Sequence, residues 1–188
     1  MAFAGLLQGT PEWLEARRSG IGASDAPIIL GMSPYMTAHD LFLEKIGKKR
    51  PKKGTVAMDR GNDLETAARS YYELKSGKEF PPETMEDEEL PYLRCSLDGR
   101  CENEILEIKC PGLKNFVSYR QKGIPSHHNI QVQHQLMVSN AEVCIYWVFS
   151  GAYGFEYKIY PDFTLIKKIR ELECIFWARV VEKEWRTS

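Results

Sequence analysis

Two short β-prone segments joined by a turn constrain the fold of this chain more than any other feature. The segments are PYLRCSLDG, which ends at Gly99, and EILEIKC, which ends at Cys110, and the linker GRCEN is rich in turn-forming residues. This pattern predicts an antiparallel strand pair. Helical periodicity on both sides of the pair predicts a single α/β domain over residues 1–188, with helices packed on a small mixed sheet.

Helical signals precede the strand pair. Thr10 and Pro11 are typical of the N-cap and first position of a helix. SDAPIILGMSPY predicts a second, short helix with Ser24 as its N-cap, and TAHDLFLEKIG predicts a third. AMDRGNDLETAARSYYELKSG predicts a long helix with an apolar stripe made of Leu64, Ala67, Ala68, Tyr71 and Leu74. Glu65 lies beside that stripe, where its carboxylate can point along the edge of the core.

The remaining segments complete the predicted order of elements. The run KKRPKKG, residues 48–54, is a loop that either is a solvated connection or contacts phosphate, and the acidic PPETMEDEEL is expected to be an exposed loop. SHHNIQVQHQLMVSN has helical spacing. EVCIYWVFS and GFEYKIY predict a second strand pair, and residues 162–185 predict a terminal amphipathic helix.

Composition excludes several classes of protein. The net charge of -1 gives no global signature of nucleic-acid binding, so such a partner must be argued from local clusters. The five cysteines include no CxxC pair, which argues against a disulfide framework, a zinc ribbon and an iron–sulfur site. The N-terminal stretch lacks a basic region, and the longest apolar run, 143–149, is too short to span a bilayer. We therefore expect a reduced, soluble, cytoplasmic protein.

Three charged residues of the strand pair can form a chemical site. Glu107 and Lys109 are two residues apart on one strand, so both side chains project from the same face. Strand pairing can bring Asp98 close to Glu107, which gives a hard oxygen site suited to Mg²⁺ or Mn²⁺, with the backbone carbonyl of Ile108 as a further ligand. The alternative is an exposed glutamate–lysine pair on the wet face of a hairpin, which stabilises little.

The segment LDG…EIK, with Asp98, Glu107 and Lys109, resembles the PD-(D/E)XK nuclease signature, with Leu97 in place of the proline. More specifically, SLDG…LEIKCP followed by NIQVQHQLMVS resembles the phage lambda exonuclease and YqaJ-type viral recombinase family. The resemblance begins at EWLEARRSGIGASD and continues through RGNDLETAAR to Gln131 and beyond. It implies a restriction-endonuclease-like core and a Mg²⁺-dependent exonuclease that digests linear duplex DNA from the 5′ end. Such an enzyme releases mononucleotides and leaves the 3′ strand single-stranded for recombination.

The resemblance also implies roles for individual residues of the catalytic site. Asp98 and Glu107 match the metal ligands of two bound ions, and Lys109 matches the catalytic lysine. Glu65 matches a helix-borne acidic residue near the metals, where it can act through water. Gln131 matches a helix glutamine that assists the attacking water or the scissile phosphate.

A second group of residues matches the pocket that holds the terminal 5′ phosphate. Arg17 and Ser24 match it directly, since a guanidinium can donate two hydrogen bonds to a phosphate. Ser96 and Lys114 are further candidates, although Lys114 stands where the family pattern has an arginine. Met58 lies near the position of an apolar wedge that separates the end base pair. We interpret the cluster of His127, His128 and His134 as structural or DNA-proximal rather than as metal ligands.

The resemblance further implies a ring-shaped homotrimer around DNA, a single-strand annealing protein as partner, and an origin in a phage or prophage of a bacterial host. Two alternatives stay open at the level of sequence. One is another PD-(D/E)XK nuclease, such as a restriction-type endonuclease or a RecB-like nuclease. The other is a non-catalytic protein that binds DNA ends, against which the intact Asp98, Glu107 and Lys109 set argues.

Overall fold

The computed structural model describes residues 3–50 and 56–185, with the side chains of residues 56–62 outside the description. The helices are α1 Pro11–Arg18, α2 Ala26–Ile29, α3 Ala38–Lys45, α4 Val56–Ser76, α5 Leu113–Lys122, α6 Ser126–Ser139 and α7 Phe163–Glu182. The strands are β1 Ile21–Gly22, β2 Glu83–Glu86, β3 Leu93–Leu97, β4 Gly99–Cys101, β5 Glu104–Lys109, β6 Val143–Phe149 and β7 Gly154–Ile159.

The strands form two small mixed sheets. The first has the order β1-β3-β2, and the second has the order β4-β5-β6-β7. β5 and β6 are parallel, whereas β4 and β7 run antiparallel to their neighbours. Only Asp98 separates β3 from β4, so the chain passes from one sheet to the other at this residue.

Helices cover both faces of the second sheet. Leu106 and Ile108 of β5 pack with Ala68 and Tyr72 of α4. Ile105 lies on the opposite face, in the main core, with apolar residues of α6 and α7. Because β6 is buried on both faces of the sheet, its sequence is a continuous run of apolar residues. Among the described helices, none combines the length and apolar character required to cross a membrane.

Several local signals in the sequence produce the predicted elements. Thr10 caps α1, because its side chain accepts a hydrogen bond from the backbone N–H of Trp13. Within GRCEN, the first three residues form β4, and Glu102, at φ 53°, and Asn103 form the turn to β5. The predicted pair around residues 150–154 is β6–β7, and Asp162 caps α7. The predicted α/β architecture of helices packed on a small mixed sheet is confirmed, with two such sheets in place of the one expected.

The predicted inward stripe of α4 is wrong by about one residue. Ala68 and Tyr72 are the buried positions, whereas Tyr71 is 46% exposed and Leu74 is 86% exposed. The inward face therefore follows the positions of Glu65, Ala68 and Tyr72, which are three or four residues apart. Two apolar residues on the outer face made the wrong stripe look continuous. The shift places Glu65 on the inward side of the helix.

Three other expectations require correction. The acidic segment around residues 83–86 is strand β2, not a loop, because it pairs along β3. The N-cap of α2 is Asp25 rather than Ser24, and α2 has only four residues. The predicted strand PYLRCSLDG is divided, since β3 pairs in the first sheet and only β4 pairs with β5. Helix α5 and the short strand β1 are elements that the sequence patterns did not indicate.

Candidate active site

Asp98 occupies the point where the chain changes sheets. Its carboxylate is 8% exposed, and Oδ2 accepts a hydrogen bond of 2.7 Å from the backbone N–H of Ile108. The following residue must be glycine, because a Cβ on Gly99 would lie 2.6 Å from the Cβ of Phe80. The backbone of Gly99 thus passes directly against Phe80, and the bond from Ile108 confirms the predicted proximity of Asp98 to β5.

Glu107 is held at both carboxylate oxygens. Its Oε1 accepts a hydrogen bond of 2.8 Å from Gln131 Nε2 and contacts Lys109 Nζ, while its Oε2 accepts one of 2.6 Å from Gln135 Nε2. Glu107 is only 3% exposed, so these donors replace water around a buried charge. The contact with Lys109 confirms that both side chains project from the same face of β5.

Glu65 reaches the same region from α4. Arg69, one turn later, donates to Glu65 Oε1 over 2.8 Å and to the backbone carbonyl of Asp98 over 2.7 Å. The Arg69 guanidinium thus links the Glu65 carboxylate on α4 to the backbone of Asp98. Both side chains lie partly buried, at 15% exposure for Arg69 and 28% for Glu65.

The charges of these residues are strongly interdependent. Burial and the negative charges of Glu107 and Glu65 raise the pKa of Asp98 well above its ordinary value. Burial also raises the pKa of Glu65, and Glu107 adds to this effect against the opposing charge of Arg69. For Lys109, burial lowers the pKa, but the charges of Glu107 and Asp98 outweigh it and raise the pKa. The site therefore combines three crowded carboxyl groups, of which Asp98 favours its protonated form, with a protonated lysine.

A basic and hydroxyl-bearing group lies on the side of the first sheet. Arg17 donates a hydrogen bond of 2.7 Å to Ser24 Oγ, and its guanidinium lies 4.9 Å from the centre of the Trp13 ring. Trp13 in turn donates its indole N–H to Ser96 Oγ over 2.9 Å. Trp13 therefore connects two predicted phosphate-binding positions, Arg17 and Ser96, although it is not itself among the predicted site residues.

One cavity of about 620 Å³ joins the two groups. Its lining includes nearly all of the predicted site residues: Arg17, Ser24, Glu65, Ser96, Asp98, Glu107, Ile108, Lys109 and Gln131. Lys114 is exposed on α5 and does not line this cavity. The side chain of Met58 and residues 51–54 of the basic run lie outside the described residues. The predicted roles of Lys114 and Met58 therefore stay predictions.

The histidines divide into two environments. His134 is fully buried; Nδ1 lies 2.7 Å from Glu173 Oε1, and Nε2 lies 2.9 Å from the backbone carbonyl of Arg94. His128 lines the cavity, and Nδ1 lies 2.5 Å from the hydroxyl of Tyr146. Burial and the charge of Lys109 lower the pKa of His128 to about 2, so this imidazole is neutral at physiological pH. His134 is thus part of the core and His128 part of the cavity wall, and a role of His128 near DNA stays a prediction.

Gln135 is the site residue that the sequence analysis missed most clearly. It follows Gln131 by one helical turn, so both amides lie on the same face of α6 and both bind Glu107. The spacing QxxxQ was the available signal. A buried glutamine cannot be distinguished from a surface glutamine, however, until the partner of the helix face is known.

The donor set fits a divalent cation by its chemistry. Asp98, Glu107 and Glu65 are three carboxylates around one cavity, and the repulsion of the other two adds to the effect of burial in raising the pKa of Asp98. Mg²⁺ and Mn²⁺ favour such oxygen ligands. Within the described residues, no three acidic, histidine or cysteine side chains are arranged to hold a metal ion as they stand. Arg69 and Lys109 instead contribute the cationic partners of Glu65 and Glu107.

The fold and the placement of Asp98, Glu107 and Lys109 define a PD-(D/E)XK nuclease-type core. The family model of the YqaJ-like viral recombinase domain matches residues 12–142, and the chain belongs to this family. It is 33% identical over 174 residues to the protein YqaJ of Bacillus subtilis, which covers 88% of this chain. The chain spans about half of that relative, 54% of its length.

Solved structures share this fold at low sequence identity. An alkaline exonuclease from Laribacter hongkongensis has a TM-score of 0.82 at 23% identity, over 93% of this chain and 94% of that chain. A structure of the same exonuclease in complex with dAMP gives a TM-score of 0.81 at 22% identity, with the same coverage. A phage-related exonuclease from Haemophilus somnus has a TM-score of 0.66 at 16% identity, over 88% of this chain and 96% of that chain.

Proposed function

We propose that this protein is a metal-dependent exonuclease that digests one strand of linear double-stranded DNA from its 5′ end. It releases mononucleotides and leaves a 3′ single-stranded overhang for recombination by strand annealing. Membership of the viral recombinase family supports this proposal, as does the likeness to two exonucleases of known structure. The dAMP complex of the Laribacter enzyme supports a nucleotide-sized product.

The observation that carries the proposal is the continuity of one cavity between two chemically different groups. At one end, Arg17, Ser24 and Ser96 offer donors suited to a terminal phosphate. At the other end, Asp98, Glu107 and Lys109 offer the acidic and basic groups of phosphodiester hydrolysis. An enzyme that cuts within DNA has no need for a pocket that selects a strand terminus.

The residues of the catalytic end have distinct tasks in this proposal. Lys109 is protonated at neutral pH, so its ammonium donates hydrogen bonds to the attacking water or to the scissile phosphate and stabilises negative charge that develops there. Gln131 lines the cavity beside it and orients the same groups. Gln135 is 1% exposed and cannot reach substrate, so it acts by fixing the orientation of Glu107.

Mg²⁺ or Mn²⁺ would be held by Asp98, Glu107 and the carbonyl of Ile108, with Glu65 acting through water, and two ions per site are proposed. When bound, such ions supply Lewis acidity and a more acidic water. Loss of the proton favoured at Asp98 and of the lysine contact at Glu107 would free the carboxylate oxygens for this purpose.

The proposed activity is tested with end-labelled DNA. Linear duplexes with a 5′ phosphate or a 5′ hydroxyl are incubated beside a closed circle, with Mg²⁺ and with chelator. The expected result is stepwise loss of 5′-terminal nucleotides from the linear phosphorylated duplex, an intact circle and no cleavage after chelation. Equal cleavage of the circle indicates an endonuclease, and activity that survives chelation contradicts metal dependence.

The proposal also includes a homotrimer that encircles DNA and a single-strand annealing protein as partner. Both rest on the resemblance to the lambda exonuclease type. Sedimentation of the purified protein measures the oligomeric state, for which three times the 21.6 kDa chain mass is expected. A monomer at micromolar concentration would argue against the ring.

A further inference from the structure

Behind the cavity, a buried ion pair joins Asp25 to Lys45. Lys45 Nζ lies 2.7 Å from Asp25 Oδ2, and both side chains are only 7% exposed. Neither residue lines the cavity, so neither can touch a substrate there. The pair lies behind Arg17 and Ser24, which do line it.

The same two side chains hold the backbone that carries the phosphate-binding groups. Lys45 Nζ donates a hydrogen bond of 3.0 Å to the backbone carbonyl of Arg17, at the end of α1. Asp25 Oδ2 accepts one of 3.0 Å from the backbone N–H of Gly22, at the end of β1. The Lys45 ammonium thus links the backbone of Arg17 to the Asp25 carboxylate. That carboxylate in turn holds the backbone turn that contains Ser24.

Charge gives the pair a second consequence. Burial raises the pKa of Asp25, but the positive charges of Lys45 and Arg17 outweigh it and lower the pKa, so Asp25 is ionised. Its carboxylate is therefore an anion next to the guanidinium that would bind phosphate. Lys45 neutralises that anion directly, because it lies in contact with the carboxylate. Without Lys45, Asp25 would compete with a phosphate for Arg17.

Stability alone is a poor reason for such a pair. Burying two charges costs several kcal/mol of hydration, and apolar replacements of buried ion pairs are often neutral or stabilising. A pair that also bonds the backbone on both sides of a binding pocket has a positional role that an apolar pair cannot fill.

We propose that Lys45 and Asp25 are positioning residues that hold Arg17 and Ser24 in the geometry that binds a terminal 5′ phosphate and keep Arg17 available to it. This inference rests on the proposed 5′-end-directed activity and adds two residues that never contact the DNA. Lys45 acts by anchoring the Arg17 backbone and by neutralising Asp25. The expected consequence is a defect confined to phosphorylated ends.

The test compares Lys45→Met, the double variant Lys45→Met with Asp25→Asn, and wild type. Lys78→Met is the matched control, because Lys78 pairs with Glu104 over 2.6 Å and does not line the cavity. Each protein is assayed on duplexes with a 5′ phosphate and with a 5′ hydroxyl, and KM and kcat are measured separately. Binding to both duplexes is measured in parallel by fluorescence anisotropy with chelator present, which does not depend on cleavage.

In Lys45→Met, the preference for the phosphorylated end is expected to fall on the order of tenfold, chiefly through KM, because misplacement of a binding group has effects of this size or larger. The double variant is expected to recover part of the preference, since the competing anion is removed. Lys78→Met is expected to match wild type. Thermal unfolding verifies folding, and Lys45→Gln, which keeps a donor without charge, replaces Lys45→Met if the latter does not fold.

The possible outcomes separate this inference from the function on which it rests. An unchanged preference in folded Lys45→Met, or an equal loss in Lys78→Met, overturns the positioning role while wild-type digestion continues to support the exonuclease. A wild type that binds both ends equally overturns the phosphate pocket and the positioning role together. A wild type that prefers phosphorylated ends in binding but cleaves no DNA overturns the exonuclease only, and the variants still decide the role of Lys45.

Discussion

Gln135 Nε2 lies 2.6 Å from Glu107 Oε2, in a position where neither group is open to solvent. The amide of Gln135 therefore fixes the rotation of the Glu107 carboxylate from behind. Its own Oε1 is buried and has no hydrogen-bond partner among the described residues, so the amide directs its NH₂ group at Glu107 without giving up another bond.

For this reason, Gln135→Leu is expected to lower kcat about 10- to 100-fold, the range typical for residues that orient a metal ligand. DNA binding should change little. Gln133→Leu is the matched control on the same helix, because Gln133 is equally buried but binds the backbone of residues 160 and 162. It should lower the melting temperature and leave kcat unchanged. Equal kcat losses in both variants would show that Gln135 acts only through stability.

Lys109→Ala is expected to abolish cleavage while DNA binding is retained. The ammonium is the positive group of the catalytic end, and general acid–base or electrostatic groups of this kind contribute about 10²- to 10⁴-fold. Lys78→Ala removes a lysine that pairs with Glu104 on the same strand, away from the cavity, and should cleave normally. Normal cleavage by Lys109→Ala would refute its assigned role.

The buried His134–Glu173 pair predicts a dependence of stability on pH. Burial lowers the pKa of His134, but Glu173 outweighs it and raises the pKa above 6.5. Because the folded state binds this proton more tightly, the stabilisation is complete below about 6.5 and is lost as pH rises through the raised pKa. The loss can reach about 1.4 kcal/mol per pH unit while one proton leaves.

Glu173→Gln should flatten this pH dependence, since a glutamine amide can donate to a neutral imidazole. Urea unfolding measured from about pH 6 to about pH 9, a range that begins near the ordinary pKa of histidine and extends above it, tests the change. Glu171→Gln, on the exposed side of α7, should keep the wild-type slope. An identical slope of stability against pH in Glu173→Gln would show that another group titrates, such as Asp98, whose pKa is also raised.

Mg²⁺ is expected to stabilise the folded protein, with an effect that grows as pH rises. The pKa of Asp98 is raised, so its proton must leave before the carboxylate can bind a cation, and binding strengthens as pH passes through that pKa. At a concentration of 100 times Kd the gain is about 2.7 kcal/mol. Calorimetric melting with and without Mg²⁺ measures this gain in stability. The growth of the gain with rising pH should be absent in Asp98→Asn. An equal increase in that variant would exclude Asp98 as a ligand.

The sequence predicted those parts of the fold that depend on local chemistry. Capping by Thr10 and the turn at Glu102 follow from short-range signals. Strand alternation correctly placed Glu107 and Lys109 on one face. The prediction of an exposed loop is wrong for residues 83–86, because this segment pairs along β3. The acidic residues that follow are neutralised by a distant partner: Arg170 binds Asp87 and Glu89, although 80 or more residues separate them. Local composition cannot indicate such pairs.

The site shows the same division. Residues named by a motif, such as Asp98 and Gln131, line one cavity. Residues that act from behind, such as Gln135, Lys45 and Trp13, have no signal of their own, because their roles exist only once two elements are packed together. The exposed Lys114 is the opposite case, a position suggested by alignment of a motif that the described geometry does not bring to the cavity.

The passage of the chain between sheets at Asp98 has a metric consequence. Ser96 and Asp98 both line the cavity and are two residues apart, which along a strand amounts to about 7 Å. In the proposed enzyme, Ser96 belongs to the group that receives the terminal phosphate and Asp98 to the group that breaks a phosphodiester bond. Their separation compares with the distance between successive phosphates of one DNA strand. The backbone of this short stretch would thus act as a ruler, and the size of the released product would be set by peptide geometry rather than by the rate of the chemistry.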